Sequence, residues 1–335
     1  MTEAERKRAA ALQASDGAPL VVTDPPTVRW LLCGRGRPVD IAAADFRIVI
    51  RSEAAQVLYA DIEHSRVLAE ERLEELGYEL APFPWWDRPE TAHGEYDLAP
   101  QRRNLDPEEV DRYRAAGADA AAAVVETIGV LRPELTEIEA AAELERAARA
   151  RDLVVRVNLV GGEERQPVHR HPLPTSAPLG RHALLALTLE RHGLHVSLTR
   201  IVSFGPPPEE LVELVRACAE VDAAVVSASR PGVTHGQLFE VLADAYERAG
   251  FPEEWRRHHQ GGLTGYKGRE VFAVPGEPTP LPPLGAVAWN PSITGGGKSE
   301  DTVLIGSGEP EVLTRTPELP ELEVGGLRRA GIVEL

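Results

Sequence analysis

Hydrophobic and polar positions change their period along the chain. Residues 20–103 hold short β-branched runs, LVVTD, FRIVI and QVLYADI, and a helical stretch rich in Glu and Arg at about 64–76. This mixture is typical of a small α/β domain. The passage that follows, APFPWWDRPETAHGEYDLAPQ, contains four prolines and cannot propagate a helix. We therefore predict an N-terminal domain of residues 1–103, and we expect Trp85 and Trp86 at a domain or subunit seam.

From Asp106 onward the pattern becomes one of long amphipathic helices, and it contains an internal repeat. The segments 132–153 and 230–251 share an Arg-Pro-x-x-Thr start at an offset of 98 residues. In each copy the Thr is followed three residues later by Glu or Gln, the capping box that begins a helix. Strand-like runs, VVRVNLVGG and REVFAV, follow the two copies. Residues 104–335 are thus predicted to form a duplicated α+β unit with a cleft between its halves.

Composition excludes several classes of function. The 335 residues carry 53 Asp and Glu against 36 Lys and Arg, a net charge of -17 that repels phosphate backbones, so we expect no nucleic-acid partner. Neither a signal peptide nor an apolar stretch near 18 residues is evident, so we expect no membrane span. Cys33 and Cys218 lie in apolar contexts, which favours free thiols and a cytoplasmic location.

Two histidines in the sequence QPVHRHPLP are candidates for proton transfer. His169 and His171 can each accept and return a proton near neutral pH, although a surface loop would also explain them. In the strand predicted over 193–200, alternation places His195, Ser197 and Thr199 on one face. His195 could thus project into the cleft or serve in packing.

The densest polar cluster is the run HHQGG followed by GYKGRE. Its two glycines allow close approach of the backbone to a ligand, or they form a structural turn. The Arg of GYKGRE is suited to hold a substrate carboxylate bidentately, and an ordinary surface ion pair with the next Glu is the alternative. The candidates in this stretch are His258, His259, Gln260, Tyr266, Arg269 and Glu270.

A third group of candidates lies near the C-terminal strands. Asn290, Lys298 and Glu300 cluster there, and Lys298 ends the glycine-rich run TGGGK. That run lacks the spacing of a nucleotide-binding P-loop and follows a strand-like segment, so we predict a mobile rim loop that carries Lys298.

Four motifs, in order over roughly residues 104–317, resemble the pita-bread family of M24 peptidases, and a fifth lies upstream of them. The pair LLALTLERHGLHVSLTRIVSF resembles the family's D-x-G…G-Y-x-x-D-x-T-R-T hairpin, with Gly193, Thr199 and Arg200 matching. RPGVT is similar to a helix start of the family, and HHQGGLTGYKGRE is similar to its H-G-x-G-H-x-x-G segment. GAVAWNPSI…KSEDTVLI is similar to the C-terminal motif of the family. Upstream, TVRWLLCG resembles the start of the family's N-terminal domain. The resemblance implies a pita-bread domain, a curved antiparallel sheet with helices on one face, over residues 104–335 and a creatinase-type α/β domain over 1–103.

The resemblance also implies a dinuclear metal site, which this sequence does not reproduce. The family uses two Asp, one His and two Glu, because bridging carboxylates hold two divalent cations. Only the last Glu is kept, as Glu300, and the other four positions cannot supply an ionised ligand. The residues at those four positions are Ala186, Ser197, Gly262 and Asn290. We therefore predict a site with no metal and no other cofactor.

Three functions follow as hypotheses. The first is a metal-independent, creatinase-like hydrolase or lyase acting on a C–N bond of a small amide, amidine or amino-acid derivative. In it His169, at the position of the family's cleft histidine, is the acid/base, assisted by His258 and Glu300. The second is an inactive, M24-like binding protein. The third is an Xaa-Pro aminopeptidase-type metallopeptidase with a displaced metal site on His195, His258, His259 and Glu300. The expected partners are a small-molecule substrate and, by resemblance, a second copy of the chain in a homodimer.

Overall fold

A computed structural model describes residues 1–39, 45–90 and 96–335, and it divides the chain into two compact units. The smaller unit comprises residues 1–110 with 192–194, and the larger comprises 111–191 with 195–335. The N-terminal domain predicted to end at residue 103 stays a prediction. Among the described residues, none of the helices is long and apolar enough to cross a membrane.

The smaller unit is built on a four-stranded sheet in the order β1-β2-β3-β4. Strands β1 to β3 pair antiparallel, and β4 is parallel to β3. Helix α1 begins at a capping box between Thr2 and Glu5. The elements are α1 (Glu3–Ala14), β1 (Leu20–Val22), α2 (Pro25–Leu31), β2 (Arg47–Ile50), β3 (Ala55–Ala60), α3 (His64–Arg66) within an irregular helical stretch over 61–76, β4 (Glu79–Phe83) and α4 (Ala99–Arg102).

The larger unit places four helices beside two main sheets. One sheet has the order β17-β7-β6-β5, with β17 parallel to β7, and the other, β14-β13-β10-β8-β9, is antiparallel. The helices are α5 (Pro107–Ile128), α6 (Glu137–Arg149), α7 (Glu209–Ala228) and α8 (His235–Arg248). The strands are β5 (Val154–Gly162), β6 (His182–Arg191), β7 (Leu194–Ser203), β8 (Gly261–Thr264), β9 (Val271–Phe272), β10 (Gly285–Trp289), β11 (Ser292–Ile293), β12 (Gly297–Lys298), β13 (Asp301–Ile305), β14 (Glu311–Val312), β15 (Glu321–Val324), β16 (Leu327–Ala330) and β17 (Ile332–Glu334).

The predicted repeat is present in three dimensions. Thr136 caps α6 and Thr234 caps α8, each through a reciprocal capping box. Each threonine also forms an isolated antiparallel bridge to a later proline, Pro178 in the first copy and Pro280 in the second. The two halves therefore fix their second helix in the same way, and the predicted α+β architecture is confirmed.

Buried ion pairs tie four elements of the larger unit together. The Arg329 Nε donates to Asp222 Oδ2 at 2.8 Å, and its Nη2 lies 3.5 Å from Asp301 Oδ2. Arg200 Nη2 donates to Asp301 Oδ1 at 3.0 Å, and Ser299 Oγ donates to Asp222 Oδ2 at 2.8 Å. All five residues are buried. Because buried charges must be paired to be tolerated, this network fixes α7, β7, β13 and β16 against one another.

Candidate functional site

A cavity of about 550 Å³ opens within the larger unit, and its lining includes both apolar and polar residues. Its volume is in the range of sites for small ligands, which run from about 300 to 1,000 Å³. The apolar lining comes from Val157, Leu159, Leu173, Ala186, Leu187 and Phe272. The polar and remaining lining comes from Arg156, His171, Thr188, His195, His259, Gly268, Arg269, Asn290, Lys298 and Glu300.

Two cations and one carboxylate of the lining are in contact with one another. Glu300 Oε1 accepts from Arg269 Nη2 at 3.0 Å, and Oε2 lies 3.3 Å from Lys298 Nζ. Thr199 Oγ1 also donates to Oε2, at 2.9 Å. Burial raises the pKa of the Glu300 carboxyl, but Lys298, Arg269 and the Thr199 hydroxyl outweigh burial and hold that pKa below its usual value. Glu300 is therefore a fixed anion.

The cavity carries a net positive charge around this cluster. Arg269 and Lys298 contribute two positive charges and Glu300 one negative charge, while Arg156 is neutralised by Glu190 at 2.5 Å. Lys298 is only 6% exposed, and Glu300 is the ion-pair partner that the structure gives its ammonium. An ammonium has three donors, so it keeps hydrogen-bonding capacity for an oxygen atom in the cavity.

Three histidines lie beside the cationic cluster. Nitrogens of His171, His258 and His259 lie within 4.8 Å of one another, and the Nε2 atoms of His171 and His258 are 2.9 Å apart. Burial and the charge of Lys298 lower the pKa of His258 well below its usual range and also lower that of His171. Burial and Arg269 lower the pKa of His259 to about 4. All three imidazoles are thus neutral at pH 7.

The loop that carries His171 is anchored by its neighbour. Arg170 forms an ion pair with Glu254 and donates to Thr294 Oγ1 at 2.9 Å. Glu254 in turn accepts from the backbone N–H of Thr294 at 2.9 Å. These contacts join the loop before β6 to the segment before His258, which explains how two distant parts of the sequence bring their histidines together.

Several predicted residues take part in this site. The alternation predicted for the strand 193–200 is confirmed: His195 lines the cavity, Ser197 Oγ lies 3.4 Å from Arg269 Nη1, and Thr199 contacts Glu300. The residues of the predicted set that line the cavity are His171, His195, His259, Arg269, Asn290, Lys298 and Glu300.

The structure places other predicted residues elsewhere. His169 is exposed and lines a neighbouring cavity of about 30 Å³, which shares Lys298 with the large one. Gln260 is buried and used in the fold, because it accepts from Tyr246 and donates to the backbone oxygen of His258. The prediction of a rim loop that carries Lys298 is wrong: residues 294–296 form the turn between β11 and β12, and Lys298 is a buried residue of β12. Tyr266 is buried, and Glu270 accepts a hydrogen bond from the backbone N–H of Lys267. His258 contacts His171 through the Nε2 atoms of the two rings.

Sequence reasoning missed part of the cavity wall. Arg156 and Leu159 lie on β5, where a bulge between Val155 and Val157 breaks the strict alternation of the strand. Phe272 on β9 and Thr188 on β6 were missed as well. Thr188 Oγ1 lies 2.9 Å from Ser197 Oγ, and the period-two pattern of β6 was the one signal for it.

The chain belongs to metallopeptidase family M24, whose model matches residues 111–307, more than half of the 335 residues. It is 24% identical to an Xaa-Pro dipeptidase of Lactobacillus helveticus over 151 residues, which are 44% of this chain and 41% of that protein. Dipeptidase PepE from Mycobacterium ulcerans shares the fold with a TM-score of 0.75 and 20% identity, over 99% of this chain and 98% of that one. The prolidase of Pyrococcus horikoshii OT3 shares it with a TM-score of 0.72 and 17% identity, over 94% and 99%. The predicted pita-bread architecture with an N-terminal domain is thus confirmed.

The residues present do not fit the dinuclear metal centre that the family resemblance implies. Glu300 could serve as a ligand, but both of its oxygens already face organic cations, Arg269 and Lys298. A metal dication placed there would meet like charge without compensating carboxylates. The other four positions offer no ionised oxygen or imidazole: Ala186, Ser197, Gly262 and Asn290.

Proposed function

We propose that this chain is a metal-independent hydrolase that cleaves a C–N bond in a small amide, amidine or amino-acid-derived substrate. The observation that carries the proposal is the cluster of Arg269, Lys298 and Glu300, which supplies fixed positive charge where the resemblance places metal ions. A fixed cation can stabilise the negative charge that develops on an attacked carbonyl oxygen, as a metal ion would. Lys298 is assigned this role because its ammonium has donors to spare.

The acid/base role belongs to His171 in this proposal rather than to His169. His171 lines the large cavity together with Lys298, whereas His169 lies outside it. A neutral imidazole can take a proton from the attacking water and return it to the leaving nitrogen. The lowered pKa of His171 keeps the ring in the accepting form at neutral pH.

Substrate size and orientation follow from the other walls. Leu159, Leu187 and Phe272 offer an apolar surface to the body of the substrate, and the cavity volume suits a molecule of dipeptide size. Asn290 is 4% exposed, and its Oδ1 has no hydrogen-bond partner in the part of the chain that the structure describes. We assign it to an N–H group of the substrate.

Removal of metal ions should leave the activity intact. We expect the purified protein to hydrolyse members of a panel of dipeptides, N-acyl amino acids and small amidines equally well with or without a chelator. Release of amine gives the rate, and elemental analysis gives the metal content. Stoichiometric manganese, cobalt or zinc, together with loss of activity in the chelator, would contradict the proposal.

Substitution of the two loop histidines should separate their roles. We expect His171→Ala to lower kcat about 10²–10⁴-fold, the usual contribution of a general acid/base. The matched variant His169→Ala should lower kcat by less than about threefold, because that side chain lies outside the cavity. The reverse ranking would restore His169 as the acid/base residue.

A second candidate is a metallopeptidase with a displaced metal site. It is favoured by the three clustered imidazoles of His171, His258 and His259 and by the dipeptidase and prolidase names of the similar proteins. It is disfavoured by Lys298, whose positive charge lowers the pKa of all three rings and also repels a metal cation. The elemental analysis above decides between the two candidates. If no product forms from any substrate of the panel, the binding-protein alternative gains support. The homodimer and the cytoplasmic location also stay predictions.

A further inference from the structure

The contact between His171 and His258 extends into a chain of three polar side chains. The Nε2 atoms of the two rings lie 2.9 Å apart, and Nδ1 of His258 lies 3.2 Å from Ser292 Oγ. The rings are set edge to face, with centroids 4.7 Å apart. A nitrogen–nitrogen contact of this length needs one protonated nitrogen and one lone pair, so the two rings have to adopt complementary tautomers.

Ser292 itself is held rigidly. Its backbone N–H donates to Tyr246 Oη at 2.8 Å, and the Tyr246 hydroxyl contacts the Ser292 carbonyl oxygen at 3.2 Å. Both residues are buried, so the serine hydroxyl presents a fixed partner to His258. His258 is half-buried and does not line the cavity, whereas His171 does. The chain thus runs from the protein interior to the cavity.

We propose that His258 is a positioning residue that holds His171 in its catalytic tautomer, an assignment that rests on the proposed hydrolase function. In this arrangement Nδ1–H of His258 donates to Ser292 Oγ, and its Nε2 accepts the Nε2–H of His171. The nitrogen left for the cavity is then Nδ1 of His171, with its lone pair available.

The reaction balances through these atoms. Nδ1 of His171 takes a proton from water while the water oxygen bonds to the substrate carbon, and the carbonyl electron pair moves to oxygen beside Lys298. The resulting imidazolium keeps its Nε2–H donated to His258. Collapse of the intermediate breaks the C–N bond, and the Nδ1 proton of His171 passes to the leaving nitrogen. A neutral His258 is required, because a protonated ring would have no lone pair for His171.

The electrostatic surroundings keep His258 neutral. Burial, Lys298, the two neighbouring histidines and Arg170 all disfavour a positive charge on its ring. Near His171, burial and Lys298 lower the pKa, while Glu300 acts in the opposite direction. The proton taken from water therefore stays on His171 and does not pass to His258.

Nitrogen NMR of the imidazoles tests the proposal without any substrate. In the wild-type protein at pH 7 we expect His171 in the form protonated at Nε2 and His258 in the form protonated at Nδ1. His258→Leu should convert His171 to a mixture of tautomers. His258→Gln, which can offer an acceptor to His171, should restore the single tautomer. A His171 ring protonated at Nδ1 in the wild-type protein, or unaffected by His258→Leu, would overturn the proposal even if the enzyme hydrolyses amides.

Kinetics provide the second measurement. His258→Leu should lower kcat about tenfold or more with little change in KM, and His258→Gln should recover part of the loss. Ser292→Ala should act in the same direction, whereas Ser307→Ala, an exposed serine after β13, should have no effect. Full activity in His258→Leu would overturn the positioning role. If the wild-type protein shows the expected tautomers but hydrolyses none of the substrates, the hydrolase function is refuted. The tautomer assignment would then still hold.

Discussion

Lys298→Met should reduce kcat about 10²–10³-fold, the loss that follows when one stabilising group for an oxyanion is removed. The fold should persist, because Glu300 keeps its contacts with Arg269 and Thr199. The same substitution should raise the pKa of His259 from about 4 towards its ordinary value, because the ammonium disfavours a second positive charge nearby. Steady-state kinetics and an NMR titration of the histidines measure the two effects.

The chain offers a matched control for this substitution. Lys267 is another of its three lysines, and its side chain is exposed. Lys267→Met removes the same charge from the surface and should change neither kcat nor the pKa of His259. If Lys298→Met left both quantities unchanged, the fixed charge would have no catalytic role. A changed pKa with an unchanged kcat would place the ammonium near the histidines but outside the reaction.

Arg329→Leu should have the largest effect on stability. It leaves Asp222 buried with Ser299 as its hydrogen-bond donor, and loss of one member of a buried ion pair costs about 3–5 kcal/mol of the free energy of unfolding. Burial already raises the pKa of Asp222, and without the opposing charge of Arg329 the carboxyl should take up a proton. Urea denaturation at pH 7 gives the change in free energy.

Two further variants make this result specific. Arg328→Leu alters the adjacent residue, which is exposed, and should change the free energy of unfolding by less than about 1 kcal/mol. The double substitution Arg329→Leu with Asp222→Leu should recover much of the loss, because removal of both charges leaves no unpaired ion. Equal losses for Arg328→Leu and Arg329→Leu would show that the network contributes little to stability.

The fold could be predicted because its signals are local. The helix starts at Thr136 and Thr234 are each specified by a threonine and a partner three residues later, and the structure contains both capping boxes. Period-two alternation likewise identified the face of β7 that carries His195 and Thr199. Such patterns depend on residues close in sequence. They therefore stay recognisable when the residues that line the site are replaced.

The site could be predicted only in part, because its contacts are distant in sequence. His169 and His171 are two residues apart in the same loop, and the ion pair of Arg170 with Glu254 determines which of them reaches the cavity. Gln260 has the chemistry of a ligand-binding residue, but its amide is already hydrogen-bonded to Tyr246 and to backbone groups. Arg156 was missed because a bulge in β5 displaces it from the expected alternation.

The repeated capping device has a consequence for how the site is divided between the two halves. The first copy supplies most of the apolar wall and His171, while the second supplies Arg269, Lys298 and Glu300. The proposed acid/base residue thus comes from one copy, whereas its partner His258 and the charged cluster come from the other. The positions that carry metal ligands in the family are divided as well, because Ala186 and Ser197 lie in the first copy and Gly262 and Asn290 in the second. Proton transfer in the proposed reaction therefore depends on how the two copies pack against each other.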